Sequence, residues 1–498
     1  MSHAFHVPQT KAEADPRRWI ALVVLLLASF MNLVDVTIVN VALPSMRTDL
    51  GATDSQIEWV IAAYILAFAL GLLPFGRLGD ILGRTKLFLW GVAGFTAASA
   101  LCGLAPNIEF LIVARVIQGL AGAMMTPQVL AIATVTFPPH ERGQAFSLFG
   151  LSAGLASVCG PILGGVLVSA NLFGMEWQPI FLVNIPIGIA AVIAGWFLIP
   201  RLPGHAALKN DYVGIGLFGL GILAVVFPIV EGRTYGWPLW AFAMIAAGVV
   251  LLVLFVLWTR SRAKIGAPQL LNFDLITNRQ FMFGAFVTTV FASGIPGMFM
   301  VISLLLQGGF AFTPLESGLT NTPFSVGVLI ASAIAGRFGS HYLRARLASS
   351  GALLVIGIGW MHFYIAGVGD SIDHWQLLPP LLIAGIGLGL GFSALFQLVL
   401  SNVPPRDAGA GSGALQAFQQ VGGALGVAII GQIFFTNLGN SMAAGSAPHA
   451  AFANASSLAL WYVVGSFALV LLMSPFFKRP AAPAHGHGAP AQQVAIEV

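Results

Sequence analysis

Apolar residues in this chain do not alternate with polar ones; they run in long blocks. Fourteen blocks of about twenty residues stand out: 19–44, 57–76, 86–105, 108–137, 145–169, 179–200, 213–231, 238–258, 281–307, 317–337, 347–368, 376–401, 411–436 and 456–477. A hydrocarbon core about 30 Å thick needs about 20 helical residues at 1.5 Å each, so each block predicts one membrane-spanning helix. Stretches such as 21–28 and 249–258 are apolar on every face, unlike the alternating strands of a membrane barrel. Short connections favour antiparallel neighbours. The first block is too long for a signal-peptide core and has no small-residue cleavage pattern, so it reads as an uncleaved first span.

Composition agrees. Of 498 residues, 57% are hydrophobic and 8% charged, against about 25% charged in soluble domains, which excludes a water-soluble globule. Cys102 and Cys159 both fall inside apolar blocks and read as small buried hydrophobes, not as a disulfide scaffold or metal ligands. The formal charge of +4 becomes informative once divided by side. Nineteen of the 22 Lys and Arg lie on the side of the two termini, only Arg47 and Arg233 lie on the other, and Arg115 is inside span 4. Basic residues stay in the cytoplasm, so both termini are expected there, in a multi-pass protein of the inner membrane. Clustered nucleic-acid binding is excluded by the same division.

Two short echoes suggest duplicated halves. Gly76-Arg77-Leu78-Gly79-Asp80 to Arg84 after span 2 matches Gly336-Arg337-Phe338-Gly339-Ser340 to Arg344 after span 10, and Pro138-Pro139 with Gly143 matches Pro404-Pro405 with Gly409. Each pairs loops eight spans apart. Two six-span halves with spans 7 and 8 inserted between them account for that offset, and duplicated halves are common in secondary transporters. The expected organisation is a tail at 1–18, a six-helix bundle at 19–200, two inserted spans at 201–280, a second bundle at 281–477 and a disordered tail at 478–498. His485 and His487 sit in that Ala-, Pro- and Gly-rich tail.

One carboxylate, Asp35, lies deep in a span. It is about ten residues, or about 15 Å, from the far end of span 1, and Arg115 lies about 10 Å into span 4 from the same surface. The two can meet. Intramembrane charges are costly and mark ion or substrate paths, with a structural ion pair as the alternative. Asn32 shares the face of Asp35, whereas Thr37 and Asn40 point elsewhere. On span 4, Arg115, Gln118, Gly119, Gly122 and Thr126 form one stripe that could line a cavity, with Met124 and Met125 beside it. Span 5 carries Gly154, Gly160, Pro161, Gly164 and Gly165, which as a bare pattern is a kink with close helix contacts.

Together these segments resemble the major facilitator superfamily, specifically its fourteen-span drug:proton antiporters. The resemblance runs from span 1 to span 14 and rests on Leu33-Val34-Asp35-Val36-Thr37-Ile38-Val39-Asn40-Val41-Ala42-Leu43-Pro44, the loop from Gly76 to Lys86, Arg115 with Gln118-Gly119, and Gly160-Pro161-Ile162-Leu163-Gly164-Gly165. It implies an all-α membrane fold of two six-helix bundles plus two inserted spans. It further implies that Asp35 and Arg115 serve proton coupling, that Gly76, Asp80, Gly83 and Arg84 act in a cytoplasmic gate, and that the span 5 motif assigns export. Asn32, Asp35, Gln118, Gly122, Met125 and Thr126 are the expected substrate-cavity residues. Partners would be protons, the bilayer and an amphipathic small molecule or drug, with no cofactor or metal.

Three departures stand beside it. The segment Glu176-Trp177-Gln178-Pro179-Ile180-Phe181 lacks the Arg that relatives often carry between two aromatics, and Ser340 replaces the carboxylate in the second loop echo. No carboxylate lies well inside spans 9 to 14, which argues against dication export. Polar candidates there are Thr288, Thr289, Gln307, Asn321, His362, Gln397, Gln416, Gln419 and Gln420. A metabolite importer on the same fold is the nearest rival, opposed by the span 5 motif. An enzyme would need paired catalytic groups or an H-E-x-x-H site, which no span offers.

Overall fold

The computed structural model describes residues 17–138, 141–204, 210–232, 234–338, 342–401, 403 and 408–478. Residues 1–16 and 479–498, with His485 and His487, as well as Pro139, Arg233, Gly339, Ser340 and Pro404-Pro405, therefore lie outside the described residues.

Long helices succeed one another: α1 (Arg18–Asp49), α2 (Asp54–Leu82), α3 (Arg84–Gly103), α4 (Ile108–Thr136), α5 (Arg142–Ser169), α6 (Pro179–Leu198), α7 (Tyr212–Glu231), α8 (Leu239–Lys264), α9 (Arg279–Gly309), α10 (Pro314–Phe338), α11 (Leu343–Ala366), α12 (Leu378–Leu400), α13 (Ala408–Ala443) and α14 (Pro448–Met473). They overlap the fourteen predicted blocks in order; among the described residues thirteen are long and apolar enough to cross a membrane, and α5 contributes the shorter apolar stretch Gly154–Ser169. Several overrun the apolar blocks: α1 has 32 residues, about 48 Å at the helical rise and well beyond the hydrocarbon thickness.

Their ends are chemically marked. Thr53 and Gln56 form a capping box at the start of α2, Asn107 Oδ1 accepts from Phe110 N at 2.8 Å before α4, and Asp211 Oδ1 accepts from Gly214 N before α7. Between α2 and α3 a single residue, Gly83, makes the turn. Its φ is +100°, and a Cβ there would lie 2.7 Å from the Leu202 carbonyl oxygen, so both backbone and space demand glycine.

Helices α1 to α6 pack on one another, as do α9 to α14, and the two groups meet along α5 with α10 and α2 with α13. Bare backbone makes those seams close. Gly165 abuts Leu315 and Gly318 abuts the Pro161 carbonyl, while Gly431 of α13 abuts Glu58 of α2. The α7–α8 pair is peripheral. Helix α7 touches both α2 and α13, and Trp59 Nε1 of α2 donates to Glu231 Oε1 at its end (2.8 Å). Among the described residues Asp211 ties the other end down: it accepts from Trp258 Nε1 and from the Leu270 backbone N–H.

Candidate functional site

The site is built on the apolar blocks by the few polar side chains they carry. Asp35 on α1 is 0% exposed and Arg115 on α4 is 1% exposed. Arg115 Nη1 donates to Asp35 Oδ2 at 2.7 Å and to Gln118 Oε1 at 2.6 Å, and its Nε donates to the Val60 carbonyl at 3.0 Å. The other carboxylate oxygen, Oδ1, accepts from Gln118 Nε2 (2.8 Å) and from Asn184 Nδ2 of α6 (3.1 Å). Ser99 Oγ of α3 accepts from both of those amides, at 2.9 and 3.3 Å. Tyr64 of α2 lies under the guanidinium, 4.1 Å from ring centre, and its hydroxyl accepts from Asn32 Nδ2 at 2.7 Å.

Five helices thus contribute to one cluster around this carboxylate, which itself bonds to α4 and α6, and each polar atom named has a partner. A buried charge pair is tolerated only with such complete satisfaction, since desolvation otherwise outweighs the attraction. The cluster can hold or release a proton at Asp35 while Arg115 keeps three acceptor or ring contacts. A change of charge there is felt at once by α1, α3, α4 and α6.

The meeting of Asp35 with Arg115 was legible in the sequence, whereas Ser99, Tyr64 and Asn184 were not among the expected residues. A signal existed, because an Asn within the apolar block 179–200 is itself a costly intramembrane polar group. Nor was Glu58 among them, which sits near the end of α2 opposite the termini yet is only 1% exposed, against Gly431.

The stripe on α4 turns out to be a packing surface. Gly119 lies against Tyr64 and Ala67 of α2, and Gly122 against Asn32 and Phe68; Thr126 bonds back to the Gly122 carbonyl at 2.9 Å. Met125 is buried against Gly91 of α3. A cavity of about 810 Å³ does open on the terminus side, but Asn32, Asp35, Gln118, Gly122, Met125 and Thr126 do not line it. Helical periodicity identifies a face, not the neighbour that covers it. The cavity is walled instead by the ends of α2 and α4 (Gly76, Arg77, Asp80, Gln128, Thr134), Arg84 at the start of α3, the segments around Asp211 and Leu270, and Gln416 of α13.

Gly76, Asp80 and Arg84, expected from the sequence in a gate, all line that cavity. Arg84 Nε and Nη2 lie 3.0 and 2.8 Å from Asp80 Oδ1 across one helical turn, interrupted by Gly83. On α5, Gly160 and Gly164 face α1, while Gly154 and Gly165 face α10. The motif is a plank between the two helix groups. Of the polar candidates in the second half, Thr289 reaches the Phe418 carbonyl, His362 the Ser457 carbonyl and Gln307 the Val41 carbonyl, so these bridge helices. Thr288 only bonds back within α9.

A family model described as Major Facilitator Superfamily matches residues 25–212 and 209–427. The chain belongs to the major facilitator superfamily. This superfamily member is a multi-pass membrane transporter and not an enzyme. It is 41% identical to the probable actinorhodin transporter of Streptomyces coelicolor over 86% of this chain and 74% of that protein. It is 30% identical to the tetracenomycin C resistance and export protein of Streptomyces glaucescens, over 87% and 79%, and 34% identical to the puromycin resistance protein of Streptomyces alboniger, over 84% and 82%. Among solved structures, a bacterial homologue of the lysosomal transporter Spinster, inward-facing and unoccupied, superposes with a TM-score of 0.63 at 17% identity, covering 94% of this chain and all of that one. That likeness concerns the fold.

Proposed function

We propose that this transporter exports amphipathic organic compounds of the antibiotic class by exchange for protons. The observation that carries the reading is Asp35: a fully buried carboxylate held by Arg115, Gln118 and Asn184 at the centre of the first helix group. The relatives named for antibiotic resistance and export support the direction and the class of cargo.

Both termini lie in the cytoplasm of a cell with the protein in its inner membrane, on the strength of the basic-residue asymmetry. Two bundles, 19–200 and 281–477, rock about the seams at α5–α10 and α2–α13, with Asp80 and Arg84 as gate groups at the cytoplasmic cavity. A proton reaching Asp35 removes the charge that Arg115 holds. The ion pair becomes a contact between a neutral carboxyl and a guanidinium that keeps its charge, which loosens the hold of α4 on α1, and α1 also packs on α5 and α9, which connects the site to the seam.

The deciding measurement is uptake of a panel of dyes and antibiotics into everted membrane vesicles under an imposed pH gradient. An uncoupler should abolish accumulation, and Asp35→Asn should do the same with the gradient intact. Undiminished gradient-driven transport by that variant would sink the assignment.

A further inference from the structure

We infer that the junction of α1, α9 and α10, in the half of the membrane away from the termini, is an uncharged hydrogen-bonding site for the transported molecule. It takes O–H or N–H donors in preference to a cation. The inference rests on the export reading and names its substrate class.

Helices α9 and α10 are consecutive and run in opposite directions, and α1 packs against both. The rings of Phe299 on α9 and Phe324 on α10 meet edge to face, with centroids 5.0 Å apart. That pair sets the register. One and two turns further along α9 from Phe299 come Ser303 and Gln307; one and two turns back along α10 from Phe324 come Asn321 and Ser317, all at same-face spacing. From the third side, Gln307 Nε2 donates to the Val41 carbonyl of α1 and to Ser303 Oγ, both at 2.9 Å. Asn40 precedes Val41.

Two oxygens on this face of α10, Ser317 Oγ and Asn321 Oδ1, are buried without a partner, and so is Asn40 Oδ1 on α1, one residue before the Val41 carbonyl that Gln307 reaches. Asn321 is 4% exposed and Ser317 is 0% exposed, and the Asn321 amide N–H is spent on the Ser317 carbonyl at 3.0 Å. Buried polar atoms are nearly always satisfied, because an orphan forfeits its hydration without a replacement bond. Apolar residues there would pack at lower cost. A cluster of unmet acceptors therefore marks a place whose partners arrive from outside, when movement along the α5–α10 seam opens the junction.

The chemistry of the set selects the ligand. Two amide oxygens accept only, the hydroxyl accepts or donates, and Gln307 and Ser303 are neutral. Glu316, one residue from Ser317, is exposed and accepts from the Thr313 backbone N–H and hydroxyl as a helix cap. No carboxylate is thus turned to the junction by the described residues of α10. Phenols, alcohols and amide N–H groups on a flat apolar frame fit it.

The test uses 2,7-dihydroxynaphthalene and 2,7-dimethoxynaphthalene, which share a frame and differ in donors, with the purified full chain and ethidium as a cationic probe. The wild type should bind the diol about tenfold or more tightly than the diether. Asn321→Leu should bring that ratio to about threefold or less and leave thermal stability equal or higher, because an unmet polar atom is removed. Ser317→Ala removes a single hydroxyl and serves if Asn321→Leu does not fold; it too should lower the ratio. A wild-type ratio near one, failure to bind the diol, an unchanged ratio in both variants, or ethidium binding that depends on Asn321 in the same way overturns the inference. Gradient-driven transport in vesicles, measured in parallel, separates the two claims: if it persists in any of these cases the export reading stands and only the donor site falls.

Discussion

Gly160 of α5 presents bare backbone to Thr37 of α1: a Cβ at that position would overlap Thr37 Oγ1 and lie 2.8 Å from its Cβ. Thr37 Oγ1 bonds back to the Val34 carbonyl at 3.0 Å, so the threonine stays on α1 and α5 must yield. The glycine is a close approach between the helix bearing Asp35 and the helix facing α10.

Substituting Gly160 should separate α1 from α5 and loosen that linkage. Overpacking of this kind costs about 1–3 kcal/mol. Gly160→Ala is expected to lower both melting temperature and transport, and Thr37→Ala in the same chain to recover part of each. Additive effects in the double-mutant cycle would contradict direct contact.

Arg115 and Asp35 should behave as a pair in stability measurements. Arg115→Leu leaves Asp35 buried without its cation and should destabilise the protein by about 3–5 kcal/mol. Asp35→Asn combined with Arg115→Leu should be more stable than Arg115→Leu alone. Thermal unfolding in detergent reads both, and a double variant no more stable than the single one would refute the coupling.

The gate glycines should differ sharply. Gly83 has φ +100° and the Leu202 carbonyl at its back, whereas a Cβ on Gly76 would meet nothing nearer than Pro127 at 3.8 Å. Gly83→Ala is expected to cost at least about 1–2 kcal/mol through backbone strain and overlap. Gly76→Ala should leave folding and melting temperature nearly unchanged.

Asp80 and Arg84 are each about one-third exposed, so their contact one turn apart contributes at most about 0.5 kcal/mol to stability. Asp80→Asn should therefore leave the melting temperature within error. If the pair serves the gate, the same variant lowers drug resistance of cells expressing it. A large stability loss with normal resistance would make the pair a fold element instead.

The sequence alone determined the spans, because the bilayer demands about twenty apolar residues per crossing and that demand is written in consecutive positions. Asp35 and Arg115 were legible for the same reason: a charge inside such a block stands out, and two blocks of known direction place both charges at similar depth. Tertiary structure decided which faces meet. Ser99, Tyr64 and Asn184 join Asp35 from helices far apart in the chain, yet a lone polar residue in an apolar block can equally bond back on its own helix, as Thr288 does to Gly284 and Thr126 to Gly122. The α4 stripe makes the same point, since periodicity marks a face and only packing reveals that α1 and α2 cover it. Glycines follow suit: Gly83 and Gly160 are constrained by Leu202 and Thr37, residues that local sequence does not bring near.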